Sequence, residues 1–194
     1  MWNAIKNLAE DTMKKIKVWI EQVKVKADRI LQEFEKRLRE LKSKAIAIIQ
    51  NMFGDNGIVK KCIQKQNEKI DSILKRILSG INSCISDKIN QLQKQTNYQI
   101  ILDDTDIMLK IEAKLNKCQE KKEEPENCLL GVRKEIAEET NEMENEILKR
   151  RVESRNIIDD ILDAIVSCST QGLIEASSNV TNVTLEIINC IVES

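Results

Sequence analysis

The chain has 194 residues, a net charge of −1 and no histidine, and that length is enough to bury a substantial core. The charge balance excludes the cationic excess through which nucleic acid is bound, and the missing histidine removes the usual general base and the commonest transition-metal ligand. Aromatic residues make up 3%, with one proline and five glycines. The expected core is therefore aliphatic, and the elements between turns are long.

Residues 2–53 read as one helix. Ile5, Ala9, Thr12, Ile16, Trp19, Val23, Ala27, Ile30, Phe34, Leu38, Ala45 and Ile48 belong to a series that advances by three or four residues at each step. That spacing keeps them on one face of a helix that, if unbroken, is about 75 Å long, a kink near Lys26-Ala27-Asp28 being the alternative. Residues 1–50 carry twelve Lys/Arg against seven Asp/Glu, so this helix is basic and the rest of the chain acidic. Two readings follow: the basic helix docks on an acidic bundle, or it meets an anionic membrane surface.

Gly54-Asp55-Asn56-Gly57 is a turn in which glycine ends one helix and Asp or Asn caps the next. A second period runs through Ile58, Cys62, Ile70, Ile73, Ile77, Ile81, Cys84 and Ile85, with Ser79-Gly80 as a point of kinking. Gln95 to Tyr98 is weakly helical, and Asp103, Asp104 and Asp106 offer caps for a third helix ending near Cys118. Lys121 to Glu124 forms a charged turn, with Pro125 opening a helix through Leu129, Val132, Ile147, Val152, Ile158 and Ile165. Ser167 to Gly172 reads as a break before a final helix through Leu173, Val180, Val183 and Cys190. The fold class is all-α: a basic helix over 1–53 and a stapled helical bundle over 58–194, together one compact domain.

The staples follow from the six cysteines. In antiparallel helices, facing residues have nearly constant summed numbers. Cys62 with Cys190 and Cys84 with Cys168 give the same sum, and Cys118 with Cys128 a similar one across a turn. The gap from Cys62 to Cys84 also equals the gap from Cys168 to Cys190. The expected bridges are therefore Cys62–Cys190, Cys84–Cys168 and Cys118–Cys128; six reduced core cysteines are the alternative. Bridges imply an oxidising, extracellular compartment. No apolar run is long enough to span a membrane, and lysines interrupt any signal-peptide core near Met1, so secretion would require a leader already removed. Asn179-Val180-Thr181 and Asn182-Val183-Thr184 are consecutive glycosylation sequons.

The order of these cysteines in an Ile/Leu-rich helical setting, with Cys62-Ile-Gln-Lys-Gln-Asn, Asn-Ser-Cys84 and Ile-Ile-Asn-Cys190, resembles the insect tsetse EP-type domain family over about 58–194. The resemblance implies a secreted protein of insect gut, haemolymph or secretions, with no catalytic activity attached. The basic helix 1–50 stands outside that pattern.

Catalytic chemistry is thin elsewhere too. No Cys-x-x-Cys offers a zinc or redox pair, and the 54–57 turn lacks the Lys-Ser/Thr ending of a phosphate loop. The acidic run from Glu135 to Glu146 reads as a solvated helix face. The chain is expected to be no enzyme and to need no metal or cofactor. Two functions remain. In the first, a carrier encloses a lipid or other apolar small molecule between Trp19, Val23, Ile30 and Phe34 on one side and Ile73, Ile77 and Ile81 on the other, with helix 2–53 as a lid; the same residues would otherwise be plain core. In the second, a structural, interaction or membrane-surface protein presents a helical face to a partner, a homodimer being one such assembly. A tunnel of several hundred Å³ favours the first, and a tight seam the second.

Overall fold

The structure is a computed structural model and describes residues 2–96, 104–120 and 125–194. Those residues form four α-helices and no strand: α1 (Trp2–Phe53), α2 (Gly57–Thr96), α3 (Asp104–Glu120) and α4 (Pro125–Val192). Tyr98, Asp103 and the charged turn 121–124 lie outside the described residues. Local chemistry sets the one described turn. Gly54 adopts φ +77° and donates its N–H to the Gln50 carbonyl at 2.8 Å, a left-handed helix end that glycine takes without Cβ strain. Asn56 then caps α2, its side-chain oxygen accepting the N–H groups of Ile58 and Val59 at 3.0 Å each.

The buried positions share a period of eleven residues. On α1, Thr12, Val23, Phe34 and Ala45 form one buried row, and Ile5, Ile16, Ala27, Leu38 and Ile49 another. On α2 the main row is Val59, Ile70, Ile81 and Leu92; on α4 it is Ser154, Ile165, Ala176 and Ile187. Eleven residues make three turns at about 3.67 residues per turn, the repeat that keeps a seam facing its neighbours with slight right-handed coiling. This explains the cysteine gaps: Cys62 to Cys84 and Cys168 to Cys190 each span two such periods.

That period corrects several sequence expectations. Ile49 and Val59 face the core while Ile48 is 54% and Ile58 46% exposed. Val152 and Leu129 are likewise exposed, and Ser154 takes the buried slot. No break occurs at Ser167 to Gly172: α4 runs through it as a single helix of 68 residues, because Gly172 occupies a core slot equivalent to Ile161 and Val183. α1 and α2 likewise pass through Ala27 and Gly80 without interruption.

Contacts divide the chain into two compact units that cut across the helices. Unit 1 comprises Met1–Ile20 and Gln95–Ile157, and unit 2 comprises Glu21–Lys94 and Ile158–Ser194. In unit 2, α2 runs antiparallel to α4: Cys62 bonds Cys190 and Cys84 bonds Cys168, with Cα–Cα separations of 5.9 and 6.2 Å, and Lys69 meets Glu186 at 2.6 Å between them. α1 is antiparallel to α2, Lys42 pairing with Asp71, and parallel to α4, where Phe34 meets Gly172. α1 is therefore a full member of the core, with Val23 and Phe34 each 1% exposed and Ile49 0%. In unit 1, α3 and the start of α4 form a hairpin closed by Cys118–Cys128 (Cα–Cα 5.5 Å) and by Lys114 with Glu135 and Glu139. Against α4, the first turns of α1 pack Ile5 and Ala9 on Ile147.

All three bridges join the pairs expected from the sequence. Their sequence separations of 128, 84 and 10 set Cys118–Cys128 apart as the bridge of least worth, because a bridge restricts the unfolded chain more when it closes a longer loop. Replacing both cysteines of either long bridge by alanine is expected to cost about 4–5 kcal/mol, and of Cys118–Cys128 about 3 kcal/mol. Urea unfolding of the three double variants would check the order.

Candidate functional site

The seven residues proposed from sequence to line a ligand site are divided between the two units. Val23, Phe34, Ile77 and Ile81 are buried at 1%, 1%, 4% and 8% exposure, while Ile30 and Ile73 are half-buried. All six belong to unit 2, and Trp19 belongs to unit 1. There its ring lies under the Arg155 guanidinium, 5.4 Å from the centroid, a cation–π contact that ties α1 to α4.

Phe34, Ile81 and Gly172 are brought together, one from each helix of unit 2. Phe34 is the largest side chain in its row, where Thr12, Val23 and Ala45 hold the equivalent slots. Gly172 compensates. A Cβ built there would lie 2.5 and 2.7 Å from the Ile81 Cδ1 and Cγ1 atoms and 3.0 Å from Phe34 Cζ. The helices thus close on one another at the centre of the proposed lining. A large residue against the smallest one fills the layer, as dense interiors require.

Open space lies outside this layer. A groove of about 300 Å³ runs between α1 and α4, with Ile30, the rim of Phe34, Val166 and Leu173 as its apolar floor and Arg29, Glu33 and Arg37 along its edge. A second, of about 440 Å³, separates α1 from α2 along Leu38, Leu74 and Leu78 and is flanked by Lys42, Asp71 and Lys75. Both are shallow interhelical grooves with charged margins.

Thr12, Thr96 and Ser154 are the buried polar side chains that interrupt the aliphatic core of unit 1 among the described residues. Thr12 and Ser154 are 0% exposed, and neither hydroxyl has a hydrogen-bond partner. Elsewhere helical hydroxyls bond back to the preceding turn, as Thr140 does to the Ile136 carbonyl at 2.5 Å and Thr184 to the Val180 carbonyl at 2.8 Å. Thr12 and Ser154 stand in rows that otherwise carry Val23 and Ala45, or Ile165 and Ala176, so the repeat itself calls for apolar groups there.

Charges are arranged on the surface. The Lys15 ammonium, 2.6 Å from Asp11, holds that carboxyl below its ordinary range, and Arg150 at 2.9 Å does the same for Glu146. Glu139 and Glu135 hold the Lys114 ammonium above its ordinary range. The first two pairs weaken as pH falls through the carboxylate range, and the third weakens as pH rises past the lysine range. On α1, Lys14, Lys17, Lys26, Arg29 and Lys44 form no ion pair with a described acid. The group of acids from Glu135 to Glu146 lies on exposed or pairing positions, and no cluster of metal-binding side chains occurs among the described residues.

The two sequons lie on α4 in different settings. Asn182 is exposed, whereas Asn179 is half-buried and donates its amide Nδ2 to the Glu175 carbonyl at 2.9 Å. Val180 and Val183 between them are core residues, at 3% and 1% exposure. Sequence spacing alone could have revealed the Gly172 contact and the Thr12 and Ser154 slots, because the eleven-residue period assigns all three to buried rows.

Comparison of the chain with protein-family models, with curated proteins and with solved structures found no match in any of the three.

Two substitutions probe the seam. Gly172→Ala is expected to destabilise by about 1–2 kcal/mol despite alanine's better helix propensity, because the new methyl overpacks Ile81. In a double-mutant cycle with Ile81→Ala the combined loss should fall below the sum of the single losses. Thr12→Val is expected to raise stability by about 1 kcal/mol, since it replaces an unpaired buried hydroxyl with a methyl of similar shape. Denaturant unfolding reads both.

Proposed function

We propose that this chain is a secreted, non-enzymatic helical protein of the tsetse EP type that acts by presenting an exposed helical surface to a partner. One observation carries the reading: Phe34, Ile81 and Gly172 close the centre of the seam, so the side chains best suited to line an internal ligand are already satisfied by one another. Three bridges belong to an oxidising compartment, and among the described residues no helix is long and apolar enough to cross a membrane. Both fit a secreted protein. The unpaired cations of α1 suit an anionic partner, for which the headgroups of an acidic membrane are the simplest case.

The carrier reading keeps one specific support. The groove of about 300 Å³ floored by Ile30, Phe34, Val166 and Leu173 falls at the lower end of the size range of small-molecule sites, and its arginine margin could meet a lipid headgroup.

Native mass spectrometry of the protein from its natural source, before and after solvent extraction, separates the two. The surface reading expects an unchanged monomer or homodimer mass. An adduct removed by solvent would overturn it in favour of the carrier.

A further inference from the structure

On α4 the eleven-residue period gives the two sequons opposite fates. Asn179 lies one period after Cys168 and one period before Cys190, so it shares the azimuth of both cysteines, on the side of α4 that carries the bridges to α2. The bridges on either side hold α2 and α4 with Cα atoms 6.2 and 5.9 Å apart, and its amide nitrogen is engaged by the Glu175 carbonyl. A sugar on that half-buried nitrogen would add bulk on the side of α4 that carries both bridges to α2. Asn182 stands three residues further on, in the row of Asp160 and Gln171, all of them exposed.

The surface around Asn182 differs from the rest of the chain. From residue 164 to 194 the only charged side chains are Glu175, Glu186 and Glu193. Ile174 and Leu185 lie on the same helical face as Asn182, eight residues before it and three after, and are 66% and 53% exposed. Glu175 and Glu186 flank Asn182 on one side, paired with Arg76 and Lys69, and the exposed apolar side chains on its other side are ones that the carbon faces of sugar rings can cover.

We propose that Asn182 carries an N-linked oligosaccharide that shields the Ile174–Leu185 face, and that Asn179 stays unmodified because a glycan there is incompatible with the closed bridges. The inference rests on the proposed passage through a secretory compartment. In the transfer the Asn182 amide nitrogen attacks the anomeric carbon of a polyprenyl-diphosphate-linked oligosaccharide. A C–N bond forms, the anomeric C–O bond breaks, the diphosphate leaves with its electron pair, and the amide proton passes to a carboxylate of the transferase. The transferase acts on the extended chain, so the helix does not prevent the reaction; the fold selects which product can close its disulfides.

The test is site mapping of the full chain secreted from a eukaryotic cell behind a cleavable leader. Amidase release of the glycan in heavy-oxygen water marks each occupied asparagine, and non-reducing peptide mapping confirms the bridges. The expected result is a label at Asn182 alone, abolished by Asn182→Gln and unchanged by Asn179→Gln. A label at Asn179 in bridged protein, or a bridged secreted chain bare at Asn182, would overturn the proposal. Whether the natural protein is itself extracellular is measured separately, by locating it in its source tissue, so a failure of the secretion reading remains distinguishable.

Discussion

Cys168 and Cys190 stand two eleven-residue periods apart on α4, and their partners Cys84 and Cys62 stand two periods apart on α2. A straight helix of 3.6 residues per turn would rotate its seam gradually away from its neighbour over that distance. The eleven-residue repeat removes the drift, so both ends of a long contact can be bridged without straining the helices between them. The packing of unit 2 depends on this match. It brings Lys69 to Glu186 between the bridges, and it aligns Phe34, Ile81 and Gly172 in one layer.

The same constraint governs composition. With 3% aromatics the seam is built from Ile, Leu, Val and Ala, and each layer must balance its volumes locally. Phe34 is tolerated because the opposing slot is glycine. Thr12 and Ser154 are the opposite case, hydroxyls set in rows where an aliphatic group would bury without loss. Stability therefore comes from long aliphatic rows and from loop closure by disulfides, with surface ion pairs adding little.

A core closed in this way turns attention to the outside of the helices. α1 displays cations that form no ion pair with a described acid, Ile48, Met52 and Ile58 are exposed beside the Gly54 turn, and the end of α4 carries few charges. These three surfaces differ in chemistry, and each follows from what its helix carries on the rows that the eleven-residue period leaves outside. The proposed role in surface contact, and the glycan assigned to Asn182, draw on that outer pattern rather than on an internal site.

The sequence by itself determined the helical class and the three bridges. Three-or-four spacing selects the helix, and equal cysteine gaps with equal summed numbers in two of the pairs favour one antiparallel register. The tertiary structure decided the finer points. A step of three or four does not choose between Ile48 and Ile49, or between Ile58 and Val59; the accumulated rotation over many turns does, and only neighbouring helices fix it. Ser167 to Gly172 read as a break because glycine and small polar residues weaken an isolated helix. Packed against Phe34 and Ile81, Gly172 instead leaves the space that a Cβ would take from them. As for the stapled frame, its pairing follows from arithmetic in the chain, but the half-burial of Asn179 and the exposure of Asn182 depend on how α4 packs against its neighbours.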